Sequence, residues 1–333
     1  MSDSQSPAAT RTRLIAIGAS AGGLAPLRTI MGTLPRDLPA TVLVVVHMSS
    51  TATSVLPEIL ARSSDLGVTP ARDREELWPG RVIVARPDRH LLVQDGHVCL
   101  DRGPRVNGHR PAVDALFRSA AMEYGPACCG VVLSGSRDDG AAGLADIKAH
   151  GGAAIVQDPH EAQYDGMPAN ALAGTTVDYM LPATEIAEVL VRLAVRGRVP
   201  GPVQKAEENS ARPPEMLSVL CPECGGTLFQ DDQGGFVQFH CHVGHRFAAR
   251  SLLAAHAEGV ERAMWTAMRS LEDRATLLRR MAAGMSERGA ITAASLEAQA
   301  ASADEQARAI RDAIAALDDS EIGSVPDDEE TLP

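Results

Sequence analysis

Two runs, Val42-Leu43-Val44-Val45-Val46 and Gly130-Val131-Val132-Leu133, are apolar at every position. A strand with one face in water alternates apolar and polar residues. Runs without alternation need both faces covered, which is the situation at the centre of a parallel sheet flanked by helices. The chain around them repeats the arrangement, with short branched-aliphatic runs alternating with longer amphipathic ones from Arg13 to about Arg196. Strands are expected at 13–18, 41–46, 81–85, 129–133, 153–157 and 177–181, and helices at 23–33, 53–63, 111–123, 140–149 and 184–195. Between His90 and Leu100 two strand-like runs flank Asp95-Gly96, a tight-hairpin signal. The expected fold class is α/β, a doubly wound and mostly parallel sheet with an inserted antiparallel hairpin.

The rest of the chain reads as smaller pieces. Residues 1–12 form a polar arm without the apolar core of a signal peptide, and residues 197–216 carry Pro, Gly and charge without hydrophobic period, as a linker does. A Cys/His module follows at 217–250. Over 251–317, Val260, Met264, Met268, Leu271, Ala275 and Leu278 repeat at helical spacing, as do Leu296, Ala300, Ala303, Ala307, Ile310, Ile314 and Leu317, with Gly284 and Gly289 between them. This predicts an antiparallel helical hairpin. Its stripe suffices as the hairpin's own core, and an exposed seam there is the surface a helical partner would use. The tail, 318–333, has seven acids and no Lys or Arg and reads as disordered. A net charge of -12 argues against a nucleic-acid surface over the whole molecule, and no stretch approaches the length of a membrane span, so a cytoplasmic protein is expected.

The chemistry begins at Leu14–Gly23, LIAIGASAGG, where an aliphatic run ends in a Gly-flanked serine before an amphipathic segment. Gly18-Ala19-Ser20-Ala21-Gly22 fits G-x-S-x-G, in which small neighbours let a sharp turn expose the hydroxyl. From this stretch alone a nucleophile and a glycine-rich phosphate loop are equal readings. Reactive groups of an open parallel sheet collect at the carboxyl ends of its strands. The second strand ends in His47, and the fourth leads through Leu133-Ser134-Gly135 into a loop with Asp138 and Asp139. A serine needs a base, a neutral histidine serves at pH 7, and an aspartate fixes its tautomer. The dinucleotide reading expects a carboxylate where His47 stands, and the glycine spacing is not G-x-G-x-x-G, so that reading falls behind.

Five segments in order, GASAGG, VVHMSS, NGHRPAVDALF (107–117), LSGSRDDGAAGL (133–144) and GMPANAL (166–172), resemble the catalytic domain of the CheB-type protein-glutamate methylesterases of bacterial chemotaxis. The resemblance covers about Arg13 to Arg196. It implies a catalytic triad of Ser20, His47 and Asp139, no cofactor for catalysis, and hydrolysis of a glutamate methyl ester on a chemoreceptor-like signalling protein with release of methanol. Some family members also deamidate glutamine. Backbone N–H groups near Ala21 and Ser136 are the expected oxyanion donors. Two departures stand out. Only about a dozen residues precede the first strand, where the familiar chemotaxis enzyme carries an inhibitory receiver domain. Ser136-Arg137-Asp138 also replaces Met-Gly-Asn. The rival reading is a signalling adaptor that uses the esterase fold and the Cys/His module for docking.

In that module Cys221-Pro222-Glu223-Cys224 is a C-x-x-C knuckle, followed by Cys241 and His245. Three thiolates and one imidazole make a tetrahedral structural Zn site in a reducing compartment. His245 suits the chelate loop better than His242, which is adjacent to Cys241. The module resembles a zinc ribbon attached to CheB-like proteins. With few basic residues beyond Arg246 and Arg250, a folding or docking role is expected rather than nucleic-acid binding.

Overall fold

A computed structural model describes residues 13–50, 54–196, 214–233, 236–284 and 290–319. The expected arm at 1–12, most of the linker at 197–216 and all but the first two residues of the tail at 318–333 lie outside the described residues. The contacts divide the chain between Leu253 and Ala254 into two compact units.

The first unit opens with β1 (Arg13–Ala19), α1 (Leu24–Thr33), β2 (Ala40–Val46), α2 (Leu56–Ala61), β3 (Gly67–Pro70) and β4 (Arg81–Val84). A hairpin, β5 (His90–Gln94) and β6 (His97–Asp101), then precedes α3 (Val113–Tyr124), β7 (Cys128–Val132), α4 (Ala141–Ala149), β8 (Ala153–Gln157), α5 (Gly166–Gly174), β9 (Tyr179–Leu181) and α6 (Ala183–Arg196). Seven strands form one sheet in the order β3-β4-β2-β1-β7-β8-β9, and every neighbouring pair is parallel. The strand order reverses across β1, between β2 and β7, which creates a crevice at the strands' carboxyl ends.

Alternation along β1 sorts the core. Leu14 and Ala16 join one cluster with Val113, Leu116 and Phe117 of α3. Ile15, Ile17 and Ala19 face the other way, onto Leu27, Ile30 and Met31 of α1 and Ile186 and Leu190 of α6. Both faces are therefore covered, which is why the central strands carry no polar alternation. Hairpin β5–β6 is a separate two-stranded sheet, with Asp95 (φ 51°) and Gly96 (φ 75°) left-handed as a two-residue I′ turn requires. Cys128 and Cys129 are buried in β7, and burial pushes the Cys128 thiol up to about 12, so it is inert at neutral pH.

The same unit contains a four-stranded antiparallel sheet, β10 (Glu215–Leu220), β11 (Thr227–Gln233), β12 (Phe236–Cys241) and β13 (Arg246–Ala248). Its core is Leu228 and Phe247 together with Cys221 and Cys241. Helix α7 (Ala249–Ala283) begins directly after β13.

In the second unit, α7 from Ala254 onward packs on α8 (Ala290–Asp319) through Leu271, Ala275, Leu278, Ala300 and Ala303. Ion pairs Arg279–Asp304 and Arg311–Glu272 cross the pair. Ala307 and Ile314 are buried as well, so the predicted stripe is largely consumed by the hairpin itself; Val260, at its start, is exposed. Among the described residues no helix is long and apolar enough to cross a membrane.

Candidate active site

Strand register brings the first two groups together. Ala19 pairs with Val46 across β1 and β2, and the His47 amide donates to the Ala19 carbonyl at 3.2 Å. Ser20 and His47 thus leave adjacent strands side by side. The near ring nitrogen, His47 Nδ1, lies 3.1 Å from Ser20 Oγ, and the far one, Nε2, reaches Asp139 Oδ2 at 2.6 Å. The ring is used the other way round from the trypsin-type triad, where Nε2 meets the serine.

Asp139 is almost wholly buried and accepts four hydrogen bonds. Oδ2 takes Val113 N at 2.7 Å beside His47, and Oδ1 takes Asn107 Nδ2 at 2.8 Å and Asp114 N at 3.1 Å. Burial would raise its pKa. The hydrogen bond and charge of His47, the charge of His109 and the Val113 amide outweigh burial, and the net shift is downward. An ionised carboxylate accepts only, so His47 carries its proton on Nε2 and turns the Nδ1 lone pair to Ser20.

Asp114 completes the buried cluster. Its Oδ2 accepts the same Asn107 Nδ2 at 2.8 Å, and its Oδ1 takes Gly140 N at 3.0 Å and Gly143 N at 2.7 Å. Burial, followed by the neighbouring Asp139 charge, pushes its pKa up to about 8. Asp138 points away from the triad. Its Oδ2 accepts Arg250 N at 3.0 Å, and its Oδ1 pairs with Ser251 Oγ.

The nucleophile turn is pinned by Ser134, which is 1% exposed. Ser134 O accepts Ser20 N at 2.9 Å, its Oγ donates to Ala21 O at 2.9 Å, and the same Oγ accepts Tyr164 N at 3.0 Å. Gly135 follows because nothing larger fits. A Cβ there would lie 2.1 Å from Met167 Sδ and 2.8 Å from Ser20 Cβ.

The structure brings Ser20, His47 and Asp139 into one array. Cys221, Cys224, Cys241 and His245 form a second cluster, with their ligand atoms all within 4.8 Å of one another. Sγ of Cys224 and Cys241 are 3.6 Å apart, and His245 Nδ1 lies 3.5 Å from Cys241 Sγ and 3.7 Å from Cys221 Sγ. Ligands held tetrahedrally at about 2.3 Å from one ion stand roughly 3.7 Å apart, so the donor set fits Zn²⁺ in chemistry and spacing. His242 instead sets its ring edge-on to Phe229.

Asn107, Asp114 and Ser134 carry roles that no motif in the sequence marks individually. Asn107 and Asp114 lie in the NGHRPAVDALF segment and Ser134 in LSGSRDDGAAGL, so the motifs marked the right stretches without showing which side chains support the acid.

An open parallel sheet that presents a serine, a histidine and a buried aspartate in hydrogen-bonded series defines the serine-hydrolase class of site. Within that class the CheB methylesterase family model matches residues 15–190, and the chain belongs to this family. A Leptospira interrogans relative, whose name provisionally carries both the methylesterase and the glutaminase activity, is 39% identical over 180 residues, spanning 54% of this chain and 93% of that protein. Protein-glutamate methylesterase/protein-glutamine glutaminase 2 of Anaeromyxobacter dehalogenans is 41% identical over 185 residues, which is 56% of this chain and 54% of its own. The crystal structure of the Thermotoga maritima CheB methylesterase catalytic domain matches with 37% identity and a TM-score of 0.52, covering 54% of this chain and 98% of that one.

Proposed function

We propose that the chain is a serine carboxyl-methylesterase acting on glutamate methyl esters of a chemoreceptor-like signalling protein in the cytoplasm. The observation that carries this reading is the series Ser20 Oγ, His47 Nδ1, His47 Nε2, Asp139 Oδ2, with gaps of 3.1 and 2.6 Å. Ser20 Oγ attacks the γ-carbonyl as its proton passes to His47 Nδ1, and the imidazolium is stabilised by Asp139. The proton then goes to the departing methoxide, releasing methanol and leaving an acyl-serine. Water, deprotonated by His47, attacks the acyl carbon, and Ser20 regains the proton as the glutamate carboxylate leaves. A glutamine carboxamide offers the same carbonyl, with ammonia in place of methanol, so deamidation is part of the proposal. The backbone amides near Ala21 and Ser136 are assigned to the oxyanion. Methanol release from methylated receptor fragments tests the reading. Wild type should release it and Ser20→Ala should not, whereas equal rates would exclude the serine mechanism.

Cys221, Cys224, Cys241 and His245 are assigned to a structural Zn²⁺, on the strength of their donor set and spacing. The ion would tie the β10–β11 knuckle to the turn before β13 and contribute folding free energy there. Purified protein is expected to contain one zinc per chain and to lose thermal stability on chelation; protein free of metal and indifferent to chelator would rule the site out.

A further inference from the structure

The Cys/His module and the first turn of the helix that leaves it reach the loops that hold the catalytic acid at two separate points. At the first, β13 runs beside the Asn107 turn. Asn107 N donates to Arg246 O at 2.7 Å, Ala248 N donates to Asn107 Oδ1 at 2.7 Å, and Arg246 N donates to Arg105 O at 3.3 Å. Asn107 sits at φ 54°, a left-handed conformation that persists where the surroundings hold it in place. These bonds occupy its backbone N–H and its side-chain oxygen. The side-chain NH2 group is thereby oriented towards Asp139 Oδ1 and Asp114 Oδ2, both at 2.8 Å.

The second point is Asp138, next to the acid in sequence. Its carboxylate takes the Arg250 amide at 3.0 Å and the Ser251 hydroxyl, and so caps the first turn of α7. Ser251 is 1% exposed and Phe247 is also 1% exposed, so the joint excludes water. A buried hydrogen-bonded network with every member paired has one arrangement, and removing a member leaves the others unsatisfied.

We propose that the segment Arg246–Ser251 is a working part of the esterase site, with Asn107 and Asp138 as positioning residues through which it fixes Asp139 against His47. The inference rests on the reading of Ser20, His47 and Asp139 as the catalytic triad. The C-terminal module then supports catalysis from within the molecule.

The test uses the full chain with Asp138→Ala, Asp138→Asn and Ser251→Ala, and two readouts. One is the rate at which a small serine-directed fluorophosphonate labels Ser20. The other is hydrogen exchange at the Val113 and Asp114 amides, which donate to Asp139. Asp138→Ala should slow labelling about tenfold and Ser251→Ala by a smaller factor, with faster exchange at both amides in each. Asp138→Asn keeps an acceptor for the cap and should restore labelling to within about twofold of wild type. Wild-type labelling and exchange in folded Asp138→Ala and Ser251→Ala would overturn the proposal, as would an Asn variant no better than the Ala variant. Should Asp138→Ala fail to fold, Ser251→Ala decides by the same two readouts. Wild-type protein inert to the probe would sink the esterase reading instead, and amide exchange would still decide whether the segment holds the Asp139 loop.

Discussion

The imidazole rings of His47 and His109 stack face to face, with centroids 3.7 Å apart and planes 10° from parallel. His47 is fixed at its two nitrogens by Ser20 and Asp139, and the stack fixes the remaining freedom, the tilt of the ring plane. Aromatic pairs in offset or edge-on geometry are worth about 0.5–1.5 kcal/mol, and a closer face-to-face pair is worth no more, so about 10-fold in rate is the upper bound if the alignment is realised only when His47 is productively placed.

His109→Ala should therefore lower kcat by at most about 10-fold with little change in KM, and His109→Phe should recover most of the loss by keeping a flat ring. Steady-state kinetics on a methylated receptor fragment provide the check. An Ala variant with wild-type kcat would show that the stack has no part in catalysis.

Asp139→Asn is expected to be far more damaging, for a reason specific to this site. Oδ1 faces two donors, Asn107 Nδ2 and Asp114 N, whereas Oδ2 faces one backbone donor, Val113 N, and His47. An asparagine NH2 suffers least on the Oδ2 side, where it must donate to His47 Nε2. The ring proton then moves to Nδ1 and faces Ser20, which leaves the serine without a base. A loss of about 10⁴-fold in kcat is expected, as when a triad tautomer is inverted elsewhere, with the fold retained. A loss of only a few-fold, measured alongside unchanged circular dichroism, would contradict the tautomer argument.

Much of this was legible in the sequence, and each miss has its own physical cause. The strands β1, β2, β7 and β8 announce themselves because burial on both faces leaves their central residues apolar, with polar side chains only at Arg13, Thr41 and Gln157 near the ends. β3 went unpredicted, since Gly67-Val68-Thr69-Pro70 is a short edge strand with weak strand formers at both ends. α5 was missed because Gly166–Gly174, with Pro168 in its first turn, has almost no amphipathic period. Ser20 and His47 could be placed from strand ends alone. Asn107 could not, because its role depends on Asp139, 32 positions away, and Ala248, 141 away. The cap between Asp138 and Ser251 spans 113 positions and links segments that read as separate modules.

Gly135→Ala tests the packing under the nucleophile. The new methyl would meet Met167 Sδ at 2.1 Å and Ser20 Cβ at 2.8 Å. Met167 is fully buried, so its side chain has little room to withdraw, and the strain falls partly on Ser20. Overpacking of this sort costs about 1–3 kcal/mol, and the thermal midpoint should fall together with kcat. A variant of wild-type stability and activity would mean that the turn relaxes freely.

The paired acids predict an unusual pH dependence of stability. Asp139 has a folded pKa below its unfolded value, so its contribution is present above the unfolded pKa of about 3.9 and is lost as pH falls through the folded one. Asp114 runs the opposite way. With its folded pKa raised to about 8, the folded state holds a proton that the unfolded chain releases, so its contribution is full below about 3.9 and is lost as pH rises towards 8. Asp114→Asn removes that proton linkage while leaving an oxygen for Gly140 N and Gly143 N. Measured by chemical denaturation, the variant's stability relative to wild type should rise steadily between pH 5 and pH 8 and level off above, on the order of the shift in pKa. A difference independent of pH across that window would show that Asp114 is ionised in the folded protein throughout, with Asn107 and the two glycine amides sufficient to hold two adjacent buried anions.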